Sequence, residues 1–395
     1  MRKQIFALIL ITALIALTAA GCTDDNGNTI EVSNGEVNNV EENNEAPANP
    51  DPEPALTPDE IPEYITIQGE RFSTTLTELD LRERQLSNAD IEPLRYMVNL
   101  TRLILINNQI SDISAVAGLT NLTVLDLRNN QISDISAVAG LTNLTNLILQ
   151  ENQISDISPL AGLANLTSLI LRENHISDIS PLAGLTNLTV LGLRENLISD
   201  VTLLSGLTNL TLLNLWDNQI SDITPLSGLT DLRRLELWGN RINDVTSLSG
   251  LTNLTHLDIR NNQIRDITPL SGLTDLTWLG LGDNPISDVN VLSGMTNLTT
   301  LWLFRTQVSD VTPLSNLTNL TYMRLWGNQI SDVTPLSNLT NLTILWLYAN
   351  QISDITPLFG LASVTTLLLQ NNQISYTQIA ELRAALPNAE IRADH

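Results

Sequence analysis

The sequence predicts a curved solenoid of α/β type, about 14 coils long, with a parallel β-sheet on its concave face and short helical (3-10) turns on its convex face. Three observations predict it. A unit recurs every 22 residues from Leu100 to Leu342. Within each unit apolar and polar residues alternate over a Leu-x-Leu stretch, as in a strand with one buried face. An asparagine follows that stretch at a fixed place, where the chain must leave the strand. Repetition overrides the prior that 395 residues make two or three domains, because a solenoid grows by adding units to one continuous core.

The elements follow in order. Arg2 and Lys3 precede an apolar run, Ile5 to Leu17, broken only by Thr12. The run suits the core of a signal peptide and is short for a membrane span. Ala19-Ala20-Gly21-Cys22 resembles a lipobox, where the peptide is cut before a cysteine that carries lipid. The resemblance implies a lipoprotein signal peptide over residues 1–21 and lipidation of Cys22. The chain is then exported and lipid-anchored to the cell envelope, touching the membrane only through that lipid. Residues 22–60 read as a disordered tether, since positions 23–60 hold eleven acidic side chains, no basic one and no aromatic. Residues 61–75, with Tyr64-Ile-Thr-Ile67, read as an N-terminal cap.

The solenoid itself spans 76–374. One copy of the unit runs from Leu122 to Asn143; a degenerate first copy begins at Leu76 and a last one at Val364. Each unit points about seven aliphatic side chains inward and cannot bury them alone, so neighbouring units must stack. The column Asn108, Asn130, Asn152 and onward offers amides to backbone groups that the turn leaves unpaired. Thr306 interrupts it, which predicts a weaker ladder around residues 300–330. Residues 375–395 read as a capping helix and tail, with Ile379, Leu382 and Leu386 on one side and Pro387 as the stop.

The pattern L-x-x-L-x-L-x-x-N-x-I is the leucine-rich-repeat signature. The fuller unit L-T-N-L-T-x-L-x-L-x-x-N-Q-I-S-D-I-x-P-L resembles the repeat of the internalin family of bacterial surface proteins, over residues 76 to about 374. That resemblance implies a curved solenoid whose concave face grips protein ligands.

Composition narrows the chemistry. A net charge of −24 argues against nucleic acid, whose phosphates demand Lys and Arg. A single cysteine excludes an intrachain disulfide and a cysteine-based metal site, and three scattered histidines leave little for acid–base work. No catalytic constellation, cofactor motif or metal site is expected. The carboxylate column from Asp112 to Asp354 invites a calcium ladder, but each coil supplies one carboxylate, and capping of the convex turns is the simpler role. Asn-x-Thr recurs because the turn recurs, not as a glycosylation signal.

The candidate site rests on the aromatics. The outward strand positions of each unit are the third, fifth and seventh. All six tryptophans, Trp216, Trp238, Trp278, Trp302, Trp326 and Trp346, occupy them, which random placement would achieve with a probability on the order of 10⁻⁵. Phe304, Tyr322 and Tyr348 join the same face. Trp302, Arg324 and Trp346 share the fifth position of neighbouring units, predicting a guanidinium between two indoles. Phe304, Trp326 and Tyr348 align at the seventh. The N-terminal half of the face carries Arg128, Arg172, Arg194, Glu173 and Glu195 instead. An exposed aromatic patch with arginine has the composition of a binding hot spot. The expected function is a surface-anchored, monomeric protein-binding module of adhesin or receptor type. The alternatives are a glycan or cell-wall polysaccharide on the same aromatics, or a structural envelope role in which the rings only brace the sheet.

Overall fold

A computed structural model describes residues 60–394. The expected signal peptide, the lipidation site Cys22 and the acidic segment up to residue 59 lie outside the described residues.

The chain enters through an antiparallel hairpin, β1 (Tyr64–Ile67) and β2 (Glu70–Ser73). Its two turn residues, Gln68 and Gly69, both have positive φ (48° and 83°), the backbone that matches the twist of a two-residue hairpin. Ile65 and Ile67 turn inward onto the first coil. Fifteen parallel strands follow in strict chain order, from β3 (Glu78–Asp80) to β17 (Glu390–Arg392). At ordinary strand spacing the sheet is roughly 70 Å long. Register is kept throughout, so that Trp302 lies beside Arg324 and Arg324 beside Trp346. The inward residues, Leu100, Leu103, Leu105, Ile110, Ile113, Val116 and Leu119 in one coil, are buried in a single continuous core.

The last strand, β17, lies within the stretch expected as helix and tail. The helix Tyr376–Ala385 is present, capped by Ser375, whose hydroxyl accepts the Gln378 N–H, with Ile379 and Leu382 buried. Beyond it, Glu390–Arg392 returns to pair with β16 (Thr366–Leu368). One apolar residue between two charges gave too short a pattern to read as a strand.

Three ladders of side chains order the coils, and the first and third join each coil to its neighbour. In the first, each buried asparagine serves two coils. Asn130 Nδ2 donates to Leu105 O (3.0 Å) in the preceding coil and to Leu127 O (3.0 Å) in its own, while Oδ1 accepts the Ile110 N–H (3.1 Å). In the second, each convex aspartate accepts the backbone N–H two residues on, as Asp134 does from Ser136 (2.7 Å), and so caps the 3-10 turn. Hydrogen bonds from the hydroxyl and amide of the following threonine hold Asp200, Asp222 and Asp332 below the usual carboxylate range. In the third, Asn121 Nδ2 donates to Val98 O (2.9 Å) and Thr123 Oγ1 to Thr101 O (3.0 Å). The Asn-x-Thr triplets are thus occupied in joining coils.

That third ladder is broken at Asp231, Asp275 and Ser363, which stand where other coils have asparagine and have no amide to donate. By the register of their neighbours, Thr208 O and Thr252 O lose their partners. Asp231→Asn and Asp275→Asn should each raise unfolding free energy by about 0.5–1 kcal/mol. Denaturant midpoints at unchanged slope would measure this, and a fall on either substitution would count against it.

At Thr306 the buried ladder is rearranged. Asn328 Oδ1 accepts from Thr306 Oγ1 (2.5 Å), Thr306 N (3.2 Å) and Val308 N (3.3 Å), so the coil holding Thr306 keeps its bonds. The loss surfaces one coil earlier. Ile286 N, whose equivalents bond an asparagine Oδ1, turns to Asn284 O instead (2.8 Å), and Pro285 has no N–H for the usual bond to Ile264 O. The slack expected around 300–330 therefore sits near 284–286, because each amide serves the coil before its own. The Ile286 amide should exchange with deuterium faster than the Ile242 and Ile264 amides. Equal protection at the three would refute the reading.

Candidate binding face

The outward positions carry ion pairs and ring contacts along the sheet. In Asp126-Leu-Arg128 and Asp258-Ile-Arg260 the carboxylate two residues before the arginine holds it at 2.5 and 2.6 Å. Alternation places such residues on the same face of one strand. Arg194 pairs with Glu195 and stacks on Trp216, 3.8 Å from the ring centroid. Trp216 meets Trp238 edge to face, with centroids 4.6 Å apart at 89°.

At the centre of the sheet lies a polar cluster that the aromatic pattern did not announce. Arg234 donates to Glu236, whose other oxygen accepts from Asn214 Nδ2. Glu236 is buried, and that burial pushes its carboxyl above the usual range against the pull of Arg234. His256 stacks on Trp278 (4.1 Å, 13°) with Nε2 3.8 Å from Glu236. Burial first, then Arg234 and Arg260, bring its pKa down to about 3, so the imidazole is neutral at neutral pH. The signal was available: Arg-x-Glu and His-x-Asp occupy outward positions in successive units.

From there the aromatics run unbroken to Tyr348. Arg260 lies 4.5 Å from the Trp302 centroid and 5.8 Å from that of Trp278, joining the central cluster to the C-terminal one. Arg324 lies between Trp302 (4.2 Å) and Trp346 (4.0 Å), and its Nε donates to Tyr322 Oη at 2.7 Å. Phe304, Trp326 and Tyr348 form a second stack, with centroids 4.9 Å apart at each step and planes within 2° and 9°. The ten aromatic and arginine residues expected at the site are thus on one face.

Their exposure differs from the expectation of an open patch. The six tryptophans, Tyr322 and Tyr348 are half-buried, and Phe304 is buried at 8% exposure. They cover each other because strand spacing nearly equals ring-stacking distance, so in-register rings close on their neighbours. Two glycines make room for this. A Cβ on Gly280 would lie 2.7 Å from Trp278, and one on Gly282 would lie 2.8 Å from Phe304. Glycines at outward strand positions were the overlooked signal for this leaning of rings. Phe304, Trp326 and Tyr348 turn their faces to one another, while Nε1 of Trp216, Trp302, Trp326 and Trp346 is buried with no hydrogen-bond partner.

Among the described residues no group of three or more His, Cys, Asp or Glu is placed to hold a metal, and no helix is long and apolar enough to cross a membrane.

Comparison with known proteins places this geometry. The pattern for leucine-rich repeats in two copies matches residues 98–141, 142–184, 164–207, 186–228, 230–272, 274–316 and 318–360. An internalin (inlF) from Listeria monocytogenes is 39% identical, with a TM-score of 0.72 over 76% of this chain and 89% of that one. A Leptospira interrogans leucine-rich-repeat protein is 25% identical (TM-score 0.75, 80% of this chain and 84% of that). The functional domain of InlJ from Listeria monocytogenes is also 25% identical (TM-score 0.69, 82% and 75%); it includes a cysteine ladder, whereas these repeats carry no cysteine. No curated protein matches the chain in sequence. The strands, the buried asparagine ladder and the repeat match together show that this chain belongs to the leucine-rich-repeat family and is internalin-like.

Proposed function

We propose that the chain is a surface-anchored protein-binding module that grips its ligand on the C-terminal half of the concave face. One observation carries the reading: nine aromatic side chains and Arg324 are gathered on the concave face and joined by stacked, edge-to-face and cation–π contacts. Aromatic residues and arginine are what protein interfaces enrich in their energetic centres. The internalin likeness supports the same reading, and binding rather than catalysis is the role it favours. Ring orientation favours a protein over a glycan. Sugar rings stack on open aromatic faces, and here the faces are taken by Phe304 on Trp326, Tyr348 on Trp326, and Arg324 on two indoles.

Export and anchoring rest on residues 1–21 and Cys22. Cys22→Ala should release the protein or leave its precursor uncleaved, and a fatty-acid analogue that fails to label the wild-type chain would refute lipidation. The binding reading is tested by immobilising residues 61–395, recovering surface proteins, and measuring their affinity for variants truncated at Trp302, Trp326 and Trp346. Retention on polysaccharide with no protein partner would replace it by glycan binding.

A further inference from the structure

Most arginines at outward strand positions are neutralised within the chain. Arg82, Arg128, Arg234, Arg260 and Arg392 each pair with a carboxylate two residues away, and Arg194 with its neighbour Glu195. Arg102, Arg172 and Arg324 have no ion pair. Arg172 still lies in the field of Glu151 and Glu173, and Arg102 in that of Asp80. Around Arg324 the outward strand positions of its own and both adjacent units hold no acidic residue. From residue 289 to residue 380 the only acidic residues are Asp310, Asp332 and Asp354, and all three cap convex turns. The other cation of the stretch, Arg305, is paired with Asp283 at 3.0 Å. A chain of net charge −24 thus keeps one stretch of its binding face free of carboxylates and places a single uncompensated guanidinium in it.

That guanidinium is held for use. Trp302 and Trp346 cover its two faces and Tyr322 Oη takes its Nε, so its plane and direction are set before any ligand arrives. The four N–H groups on its two terminal nitrogens have no partner among the described residues, and neither nitrogen is a buried orphan. These nitrogens match a carboxylate in bidentate fashion.

We propose that Arg324 is the receptor for one carboxylate of the protein ligand, an aspartate or glutamate side chain that enters in the guanidinium plane between Trp302 and Trp346. The assignment rests on the protein-binding reading above and adds the chemistry that the ligand must present. It also supplies register: elsewhere on the outward face a partner carboxylate meets an arginine already paired or, at Arg102 and Arg172, one that lies in the field of acidic neighbours.

The test is a selection from a displayed library of random peptides against the full chain. Selected peptides should share an Asp or Glu flanked by apolar residues. Changing that residue to Asn or Gln should weaken binding to the wild-type protein about thirtyfold or more. Arg324→Lys should weaken it comparably, and combining the two changes should add little. Because the peptide substitution is read on the unaltered protein, the result stands even if an Arg324 variant folds poorly. Peptides that lose binding on Trp302→Ala yet ignore both Arg324→Lys and their own acidic residues would overturn this inference and leave the binding face intact. Failure to select any peptide would overturn both readings. So would retention on polygalacturonate in place of peptides, which would assign the carboxylate to a glycan.

Discussion

Truncating Trp302 to alanine is expected to cost about 2 kcal/mol or more of ligand binding, near thirtyfold in affinity, while the protein stays folded. Trp302 touches both cations of the patch, Arg260 at 4.5 Å and Arg324 at 4.2 Å, and lies edge-on to Trp278 (5.0 Å) and Tyr322 (5.9 Å). Its loss therefore removes an anchor and releases Arg324 from its sandwich. The folding cost is smaller. Trp302 stands outside the aliphatic core, so no cavity opens, and cross-strand contacts contribute roughly 0.2–1 kcal/mol each. Trp326→Ala should behave alike, since it parts Phe304 from Tyr348. Arg128→Ala is the control, being tied to Asp126 on the far half of the face. Arg194 is not suited to that role, because it stacks on Trp216. Affinity and thermal melting decide the matter together. Variants that melt much lower yet bind normally when folded would make the rings sheet scaffolding and move the site elsewhere.

Asn328→Ala should be the most damaging single change in the asparagine ladder, costing roughly 3–5 kcal/mol of stability. The residue is buried and carries the load of two ladder positions. Its amide donates to Leu303 O (2.7 Å), Leu325 O (2.9 Å) and Trp326 O (3.5 Å), and its oxygen serves Val308 N together with both the amide and hydroxyl of Thr306. Asn218, the reference, serves Ile198 N, Leu193 O, Leu215 O and Trp216 O. Stripping a buried backbone group of its partner costs its full desolvation penalty, and Asn328→Ala strips more of them. Denaturant unfolding of Asn328→Ala beside Asn218→Ala measures the difference, and equal losses would show that the sharing at Thr306 carries no energy. The opening should concentrate in residues 303–330, directly under the aromatic stacks, so ligand binding should fall with it.

Much of this was legible in the residues. A 22-residue period with strict alternation prescribes parallel strands, an inward column of leucines and an outward column of whatever the face requires. The Arg324 sandwich followed from three residues sharing one position in adjacent units, because in-register strands turn sequence spacing into spatial contact. What escaped depended on side-chain rotation or on signals of one residue. The closing of rings on one another needed their torsions, which spacing does not contain. The hollows at Gly280 and Gly282 were written as the absence of a side chain. The strand Glu390–Arg392 carries too little alternation to be recognised without the edge it completes. The Glu236–Arg234–His256 cluster was spelled in the chain, but its meaning came from burial, which moves Glu236 and His256 in opposite directions of charge stabilisation with one result, a preference for neutrality at each.

The inter-coil bonds have a further consequence, for how such a molecule can change length. Asn121 reaches back 23 residues, Thr123 reaches back 22, and the buried asparagines reach 25, and the same offsets recur from coil to coil. Loss or gain of one whole period therefore joins a coil to a neighbour offering the same carbonyls at the same heights, while a deletion of any other length misaligns every column beyond it. Recombination between near-identical segments is thereby restricted to the one outcome the core accepts. Because the aromatic contacts also run only between adjacent coils, periods can be added or removed in the arginine-rich N-terminal half without altering the stacks around Arg324. The architecture lets the length of the solenoid diverge while the ring contacts around Arg324 are inherited unchanged.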